Sequence, residues 1–130
     1  MYTVKEVAKL LDLTEHTVRY YTDKGLVPNL QRDKNNIRLF DDQSINWLKG
    51  AKHLKQSGMS VEAIKSYVDL CLEGESTIQQ RYEILLEQKA TALAQLEQAK
   101  LIVKFMEEKV NHYRDIINHV IPDDMNPGKW

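Results

Sequence analysis

The stretch that decides the fold is Thr14-Glu15-His16-Thr17-Val18-Arg19-Tyr20-Tyr21-Thr22-Asp23-Lys24-Gly25-Leu26. Thr14 can cap a helix, because its hydroxyl accepts a hydrogen bond from a backbone N–H of the first turn. Gly25 suits the position just past a helix, where the backbone is left-handed. Arginine binds base edges or phosphates, and tyrosine hydroxyls bind phosphates. The stretch predicts a recognition helix for nucleic acid, although taken alone it fits an amphipathic helix with core tyrosines equally well.

A second short helix is predicted just before this stretch. Thr3 and Glu6 have the spacing of a capping box, in which each side chain bonds the backbone of the other residue. The apolar residues that follow recur at helical spacing and are Val4, Val7, Ala8 and Leu11. Only Asp12-Leu13 separates the two helices, so together they predict a helix-turn-helix.

A small hairpin, here called the wing, is predicted after the recognition helix. Pro28 prevents that helix from resuming. Residues 30–32 and 37–40 flank the polar segment 33–36, which ends in two asparagines that tolerate a tight turn. We expect Arg32 and Arg38 on the arms of the wing and Lys34 at its tip. The alternative is an ordinary solvated loop with scattered charge.

Two further helices are predicted between the wing and Gly74. Asp41 or Asp42 caps the first of them, and its apolar face comprises Trp47, Leu48, Ala51 and Leu54. Ser60 caps the second, and its core-facing residues are Val61, Ile64, Val68 and Leu72. These helices complete an N-terminal domain that we assign to residues 1–73.

A long helix with a heptad seam is predicted from residue 74 to residue 120. The seam positions alternate steps of four and three and are Ile78, Tyr82, Leu85, Lys89, Ala92, Leu96, Ala99, Val103, Met106, Val110, Tyr113, Ile117 and Val120. Such a helix would be roughly 65 Å long and could not bury its seam on a small helical domain. The simplest partner is a second copy of the chain. We therefore predict a dimer interface that includes Leu85, Leu96, Val103, Met106 and Val110, followed by a non-helical tail at residues 121–130.

Charge is distributed unevenly along the chain. The net charge is -1, but residues 1–60 hold ten Lys or Arg and seven Asp or Glu, which leaves the remainder acidic. This asymmetry favours an N-terminal half that binds anions. One cysteine excludes an intrachain disulfide. We find no signal peptide and no apolar run of membrane length, so we expect a cytoplasmic protein without a membrane partner.

The chain resembles the MerR family of bacterial transcription regulators. The matching residues are Tyr2-Thr3-Val4-Lys5-Glu6-Val7-Ala8, Thr17-Val18-Arg19-Tyr20-Tyr21, Gly25-Leu26-Val27-Pro28, Asn36-Ile37-Arg38-Leu39-Phe40 and Gly58-Met59-Ser60-Val61-Glu62-Ala63-Ile64. The resemblance implies a homodimer joined by an antiparallel coiled coil, with the recognition helix in the major groove and the wing on the flanking backbone. It also implies that the protein distorts promoter DNA and thereby acts on RNA polymerase indirectly.

The same resemblance suggests which residues contact DNA. Arg19, Tyr20 and the wing residue Arg38 match the DNA-contact positions of the family. We expect the adjoining surface to consist of Thr14, His16, Thr17, Tyr21, Arg32, Lys34 and Asn36. Two wing residues depart from the family pattern, since Asn36 stands where glycine is usual and Ile37 where tyrosine is frequent. Asn36 can adopt the same backbone, whereas Ile37 removes one hydroxyl contact with phosphate.

The resemblance is strongest to the subgroup that answers aldehydes or nitrosative stress, but its sensor chemistry does not transfer. That subgroup carries a cysteine where this chain has His53. Cys71 is predicted to be a small apolar core residue, with a redox or alkylation sensor as the alternative. The cysteines of the metal-sensing members are absent, and His112 and His119 lie about 10 Å apart along one helix. We expect no metal, no cofactor and no catalytic site, and the effector stays unknown.

The predicted fold class is therefore mainly α, with a winged helix-turn-helix domain followed by a long dimerisation helix that forms an antiparallel coiled coil. The predicted function is a sequence-specific, homodimeric, DNA-binding transcriptional regulator. The alternative is a coiled-coil adaptor whose N-terminal domain binds protein. At 130 residues we find no room for a separate ligand domain, so an effector pocket is expected at the dimer interface or beside the tail.

Overall fold

Five α-helices and one two-stranded sheet make up the protein, in a computed structural model that describes residues 1–130. The helices are α1 (Val4–Leu11), α2 (Glu15–Asp23), α3 (Asp42–Gln56), α4 (Val61–Glu73) and α5 (Ile78–Ile117). The strands are β1 (Gln31–Arg32) and β2 (Arg38–Leu39), and short 3-10 helices span Glu75–Thr77 and Pro127–Lys129. The mainly helical fold class is confirmed.

The chain divides into two compact units, Met1–Thr91 and Ala92–Trp130. The first contains α1 to α4, the wing and the beginning of α5. The second contains the rest of α5 and the tail. Whether residues 1–73, 74–120 and 121–130 behave as separate domains stays a prediction.

The helices of the first unit begin where side chains satisfy the free N–H groups of the first turn. The Thr3 hydroxyl accepts from the Glu6 N–H at 3.2 Å, and a Glu6 carboxylate oxygen accepts from the Thr3 N–H at 3.0 Å. These bonds lower the pKa of Glu6. The hydroxyls of Thr14 and Ser60 cap α2 and α4 by accepting from the backbone N–H three residues later. Asp41, rather than Asp42, caps α3.

The turn between α1 and α2 is as short as predicted. Asp12 takes a left-handed conformation with φ 54°, and the Leu13 N–H donates to the Ala8 carbonyl at 2.9 Å. Gly25 is also left-handed, with φ 78°, and lets the Leu26 N–H return to the Tyr21 carbonyl at 3.1 Å. Together α1 and α2 form the predicted helix-turn-helix.

The core lies among α1 to α4 and the end of the wing. Its fully buried large side chains are Val7, Val18, Leu26, Phe40, Leu48 and Ile64. Ile84 of α5 packs against this core. Leu72 differs from the prediction, because it is 59% exposed. It follows the last core contact of α4, where the helix is about to end at Gly74.

The wing is confirmed as an antiparallel hairpin. Gln31 pairs with Leu39 and Arg32 pairs with Arg38. An isolated bridge extends it, because Tyr2 and Phe40 exchange two backbone hydrogen bonds of 2.8 Å each. Phe40 is fully buried, so the hairpin is anchored in the core at the end of β2.

The second unit holds the end of α5 and a tail that packs on it. The helix ends at Ile117, three residues before the predicted Val120. The tail was predicted to be non-helical, and this is wrong for Pro127–Lys129. The Trp130 ring stacks on His112 with centroids 3.7 Å apart, and Lys109 Nζ donates to the Pro127 carbonyl at 2.9 Å. These contacts hold the tail against the helix.

The predicted dimer seam is exposed in the single chain. Leu85, Leu96, Val103, Met106 and Val110 are each between 41% and 55% exposed. No residue of α5 is buried along its 40 residues.

Candidate nucleic-acid interface

One face of α2 is polar and open to solvent. His16, Arg19 and Tyr20 are exposed, while Val18 and Tyr21 on the other side are buried. At the start of the helix the Thr14 hydroxyl donates to the Thr17 hydroxyl at 2.8 Å. The helix is thus held to the core by its apolar side and presents the predicted contact residues on the other.

Arg19 makes one ion pair, with Glu15 one turn earlier. The guanidinium lies 3.2 Å from the carboxylate, and both side chains are close to half exposed. An exposed pair at this spacing contributes about 0.3–0.5 kcal/mol at most. Arg19 can therefore exchange Glu15 for a phosphate or a base edge at little cost.

Tyr20 extends this surface toward the end of α2. Its ring is 40% exposed, and Lys24 Nζ lies 5.6 Å from the ring centroid. Tyr20 thereby brings a hydroxyl and a nearby cation to one place, a combination that suits a phosphate.

Tyr21 does not belong to the surface. It was predicted to lie on or beside the DNA-contact face, but only 6% of it is exposed and its ring is part of the hydrophobic core. The pKa of Tyr21 is raised, mainly by burial and to a smaller extent by the neighbouring Tyr20. Its position three residues after Val18 puts both on the apolar side of the helix, so we remove Tyr21 from the contact set.

The tip of the wing is closed by its own hydrogen bonds. Asp33 Oδ1 accepts from the N–H groups of Asn35 at 2.8 Å and Ile37 at 3.0 Å. Asn36 has φ 62°, the left-handed conformation expected where the family uses glycine. Arg32 donates to the Asn36 carbonyl at 3.0 Å, and Lys34 is exposed. The tip is thus a turn closed by hydrogen bonds, and it carries the cationic side chains Arg32 and Lys34.

Arg38 is directed toward α2 and is well covered. Its Nε donates to Thr22 Oγ1 at 3.0 Å and its Nη2 donates to Asp23 Oδ1 at 2.7 Å. Only 20% of the Arg38 side chain is exposed. Arg38 lies on an arm of the wing, as predicted, and its guanidinium is bonded to the last turn of α2.

Thr22 and Asp23 are functional candidates that the sequence analysis missed. A signal was present, because Asp23 lies in the last turn of α2, where the helix dipole disfavours a negative charge. A cationic partner from elsewhere in the chain stabilises an acidic residue at such a position.

Comparison with known proteins identifies the family. Residues 2–71 match the family model described as MerR HTH family regulatory protein. The chain belongs to the MerR family. It is therefore a transcriptional regulator and not an enzyme.

Curated relatives match this MerR protein over different lengths. It is 30% identical to an uncharacterized HTH-type transcriptional regulator of Haemophilus influenzae over 113 residues, which cover 87% of this chain and 84% of that one. It is 36% identical to the HTH-type transcriptional regulator AdhR of Bacillus subtilis over 86 residues, 66% of this chain and 61% of AdhR. The match thus spans less than two thirds of AdhR.

A solved structure resembles most of this chain. The crystal structure of HiNmlR, a MerR-family regulator that lacks the sensor domain and is bound to promoter DNA, superposes with a TM-score of 0.79. The identity is 29%, and the match covers 90% of this chain and 93% of that chain.

Cys71 of this MerR protein is partly buried on α4 and is not part of the core cluster. The core prediction for it is therefore wrong, because the end of α4 emerges from the core here, as Leu72 shows. Burial and the adjoining Cys71 raise the pKa of Tyr67, while Arg81 opposes the rise.

His53 and His112, the other positions weighed as sensor or metal-ligand residues, each contact a neighbouring side chain. His53 is exposed on α3, with Nδ1 3.3 Å from Gln56 Oε1. His112 is engaged with Trp130. No three His, Cys, Asp or Glu side chains are grouped as metal ligands. None of the helices has the length and apolar character needed to cross a membrane.

One groove lies between α3 and α4, away from the places where the sequence analysis expected an effector pocket. It holds about 310 Å³, and its walls include Trp47, Leu54, Ile64 and Tyr67. A smaller one of about 290 Å³ lies beside the tail, between Phe105, Lys109 and Trp130.

Proposed function

We propose that this MerR protein is a homodimeric, sequence-specific regulator of transcription that binds double-stranded promoter DNA. Residues 1–73 bind the DNA and residues 74–120 form the dimer. The observation that carries the proposal is the exposed face of α2, where Arg19 and Tyr20 stand opposite the buried Val18. The promoter-bound state of HiNmlR supports the same assignment.

In the proposed complex α2 enters the major groove and the wing lies on the flanking backbone. Thr14, His16, Thr17, Arg19 and Tyr20 supply the contacts from α2. Arg32, Lys34 and Asn36 supply those from the wing. Base edges are read near the beginning of α2, since recognition helices present their N-terminal residues to the bases.

The proposed dimer is an antiparallel coiled coil of two α5 helices. A seam of exposed apolar side chains extends along the helix, and a single chain leaves it in water. Burying apolar surface contributes about 25 cal/mol per Å², so pairing two such seams is strongly favourable. The two DNA-binding units then occupy two half-sites.

Regulation is proposed to follow the family pattern. The bound dimer distorts the promoter so that RNA polymerase can use it, and an effector, still unidentified, shifts the protein between states. Membership of the MerR family supports this mechanism. Transcription in vitro from promoters whose spacer is shortened stepwise would test it, because a shortened spacer should relieve the need for the protein.

A salt titration tests the DNA-binding proposal directly. Fluorescence anisotropy with a promoter duplex and a scrambled duplex should show tight binding to the promoter alone. The affinity should fall steeply with salt as phosphate counterions are released. An affinity that depends on neither sequence nor salt would contradict the proposal and favour a protein-binding adaptor.

A further inference from the structure

We propose that Arg38 is a positioning residue that fixes the wing to the recognition helix, rather than a phosphate contact. The inference rests on the proposed DNA-binding function and assigns the placement of the wing within it. It concerns a three-residue network of Arg38, Thr22 and Asp23.

The network joins β2 to the last turn of α2. Arg38 donates from two nitrogens of its guanidinium, from Nε to Thr22 Oγ1 and from Nη2 to Asp23 Oδ1. The Thr22 hydroxyl in turn donates a hydrogen bond to the Arg19 carbonyl at 2.7 Å. The chain of bonds thus runs from the wing to the backbone of the residue that is proposed to read DNA.

Charge placement supports a structural use of this guanidinium. Asp23 is close to the negative end of the α2 dipole, and no basic residue lies in the last turn of that helix. Arg38 supplies the missing cation from another element. Nε and Nη2 of Arg38 already donate within the protein and only 20% of the side chain is exposed, so a phosphate at the same edge would have to displace Thr22 and Asp23.

Two contacts attach the wing to the rest of the first unit: Phe40 and its bridge to Tyr2 anchor the end of β2 in the core, and Arg38 joins β2 to the last turn of α2. The turn at its tip is closed by Asp33 and Arg32, and both residues of β1 are exposed. Arg38 therefore sets the distance between the tip and α2, at the place where both must reach one DNA duplex. A preorganised wing loses less conformational freedom on binding.

Two variants break the network and leave Arg38 charged. Thr22→Val removes the hydroxyl without changing net charge, and Asp23→Asn removes the carboxylate. Thr91→Val is the matched control, because it deletes a hydroxyl that bonds a carbonyl of its own helix on α5. Each protein is measured with cognate and scrambled duplexes over several salt concentrations.

If Arg38 positions the wing, Thr22→Val and Asp23→Asn each weaken cognate binding about tenfold with an unchanged salt slope, while Thr91→Val binds like the parent. Arg38→Ala combined with Asp23→Asn should then lose about tenfold in total, rather than the roughly hundredfold of independent sites. Arg38→Lys should not restore binding, because it lacks the planar fork.

The opposite pattern overturns the proposal. A phosphate contact released from Asp23 would bind DNA at least as tightly in Asp23→Asn as in the parent. Arg38→Lys would recover most of the affinity, and Arg38→Ala would lower the salt slope by about one unit per half-site.

Amide exchange in the free protein separates this proposal from the proposed function. Thr22→Val and Asp23→Asn should speed exchange several-fold in residues 31–39 and leave α3 and α4 protected. Should the parent fail to bind promoter DNA while these variants loosen the wing, the proposed function would fail and the attachment would stand. Unchanged exchange in the wing would overturn the attachment itself.

Discussion

Replacing Arg19 with alanine tests the recognition helix most directly. The side chain contacts Glu15 in an exposed pair at 3.2 Å and lies on the face of α2 opposite Val18. Its removal should change the free energy of unfolding by less than about 0.5 kcal/mol, because exposed pairs at this spacing contribute little. Any loss of DNA affinity then comes from the DNA contact and not from the fold.

The size of that loss depends on what Arg19 binds. A bidentate contact with guanine is worth about 1–3 kcal/mol at each half-site. A symmetric dimer has two half-sites, so cognate binding should weaken by about 2–6 kcal/mol, which is at least about thirtyfold. If Arg19 binds phosphate instead, all sequences should lose affinity alike, and the salt slope should fall by about one unit per half-site.

The assay is fluorescence anisotropy with cognate and scrambled duplexes, together with thermal unfolding and light scattering to confirm fold and dimer. Glu15→Gln is the matched control, since it breaks the same ion pair and leaves the arginine in place. It should bind DNA as tightly as the parent or more tightly, because a carboxylate near phosphates is removed. If Arg19→Ala binds cognate DNA like the parent at every salt concentration, α2 is not a recognition helix.

Three further predictions concern the dimer, the cysteine and the tail. Light scattering should give about 30 kDa, twice the 15.2 kDa chain, and Leu96→Asp should yield monomers because two carboxylates would enter a desolvated seam; a variant that stays dimeric would contradict the seam. Cys71→Ser should leave induction intact in a promoter-reporter strain, and a loss of induction with unchanged DNA affinity would identify Cys71 as the sensor. Asp124 accepts from the Trp130 indole, and bonds from Asn126 and Trp130 lower the pKa of Asp124. The stabilisation from its hydrogen bond to Trp130, which lies within the tail, is thus complete above the ordinary pKa of 3.8 and is lost as the pH falls through the lowered value. Trp130 fluorescence in a Trp47→Phe background should report that loss, and Asp124→Asn should abolish the pH dependence.

The sequence by itself determined the helix starts, the tight turn and the periodicity of the long helix. Thr3, Thr14 and Ser60 each cap a backbone N–H three residues onward, so the interacting groups are adjacent in the chain. Such bonds form within one turn and need no knowledge of distant residues. The residues of the family motifs lie in these local elements, which is why the resemblance was visible from the sequence.

Only the tertiary structure decided where α4 leaves the core and what Arg38 contacts. Arg38 meets Thr22 across 16 residues, and Trp130 meets Asp124 and the side of α5 after the chain has turned back. An arginine on a hairpin has the same local pattern whether it reaches a phosphate or a carboxylate. The packing of the wing against α2 brings Asp23 within 2.7 Å of Arg38, and the partial burial of the guanidinium makes an unpaired charge costly there.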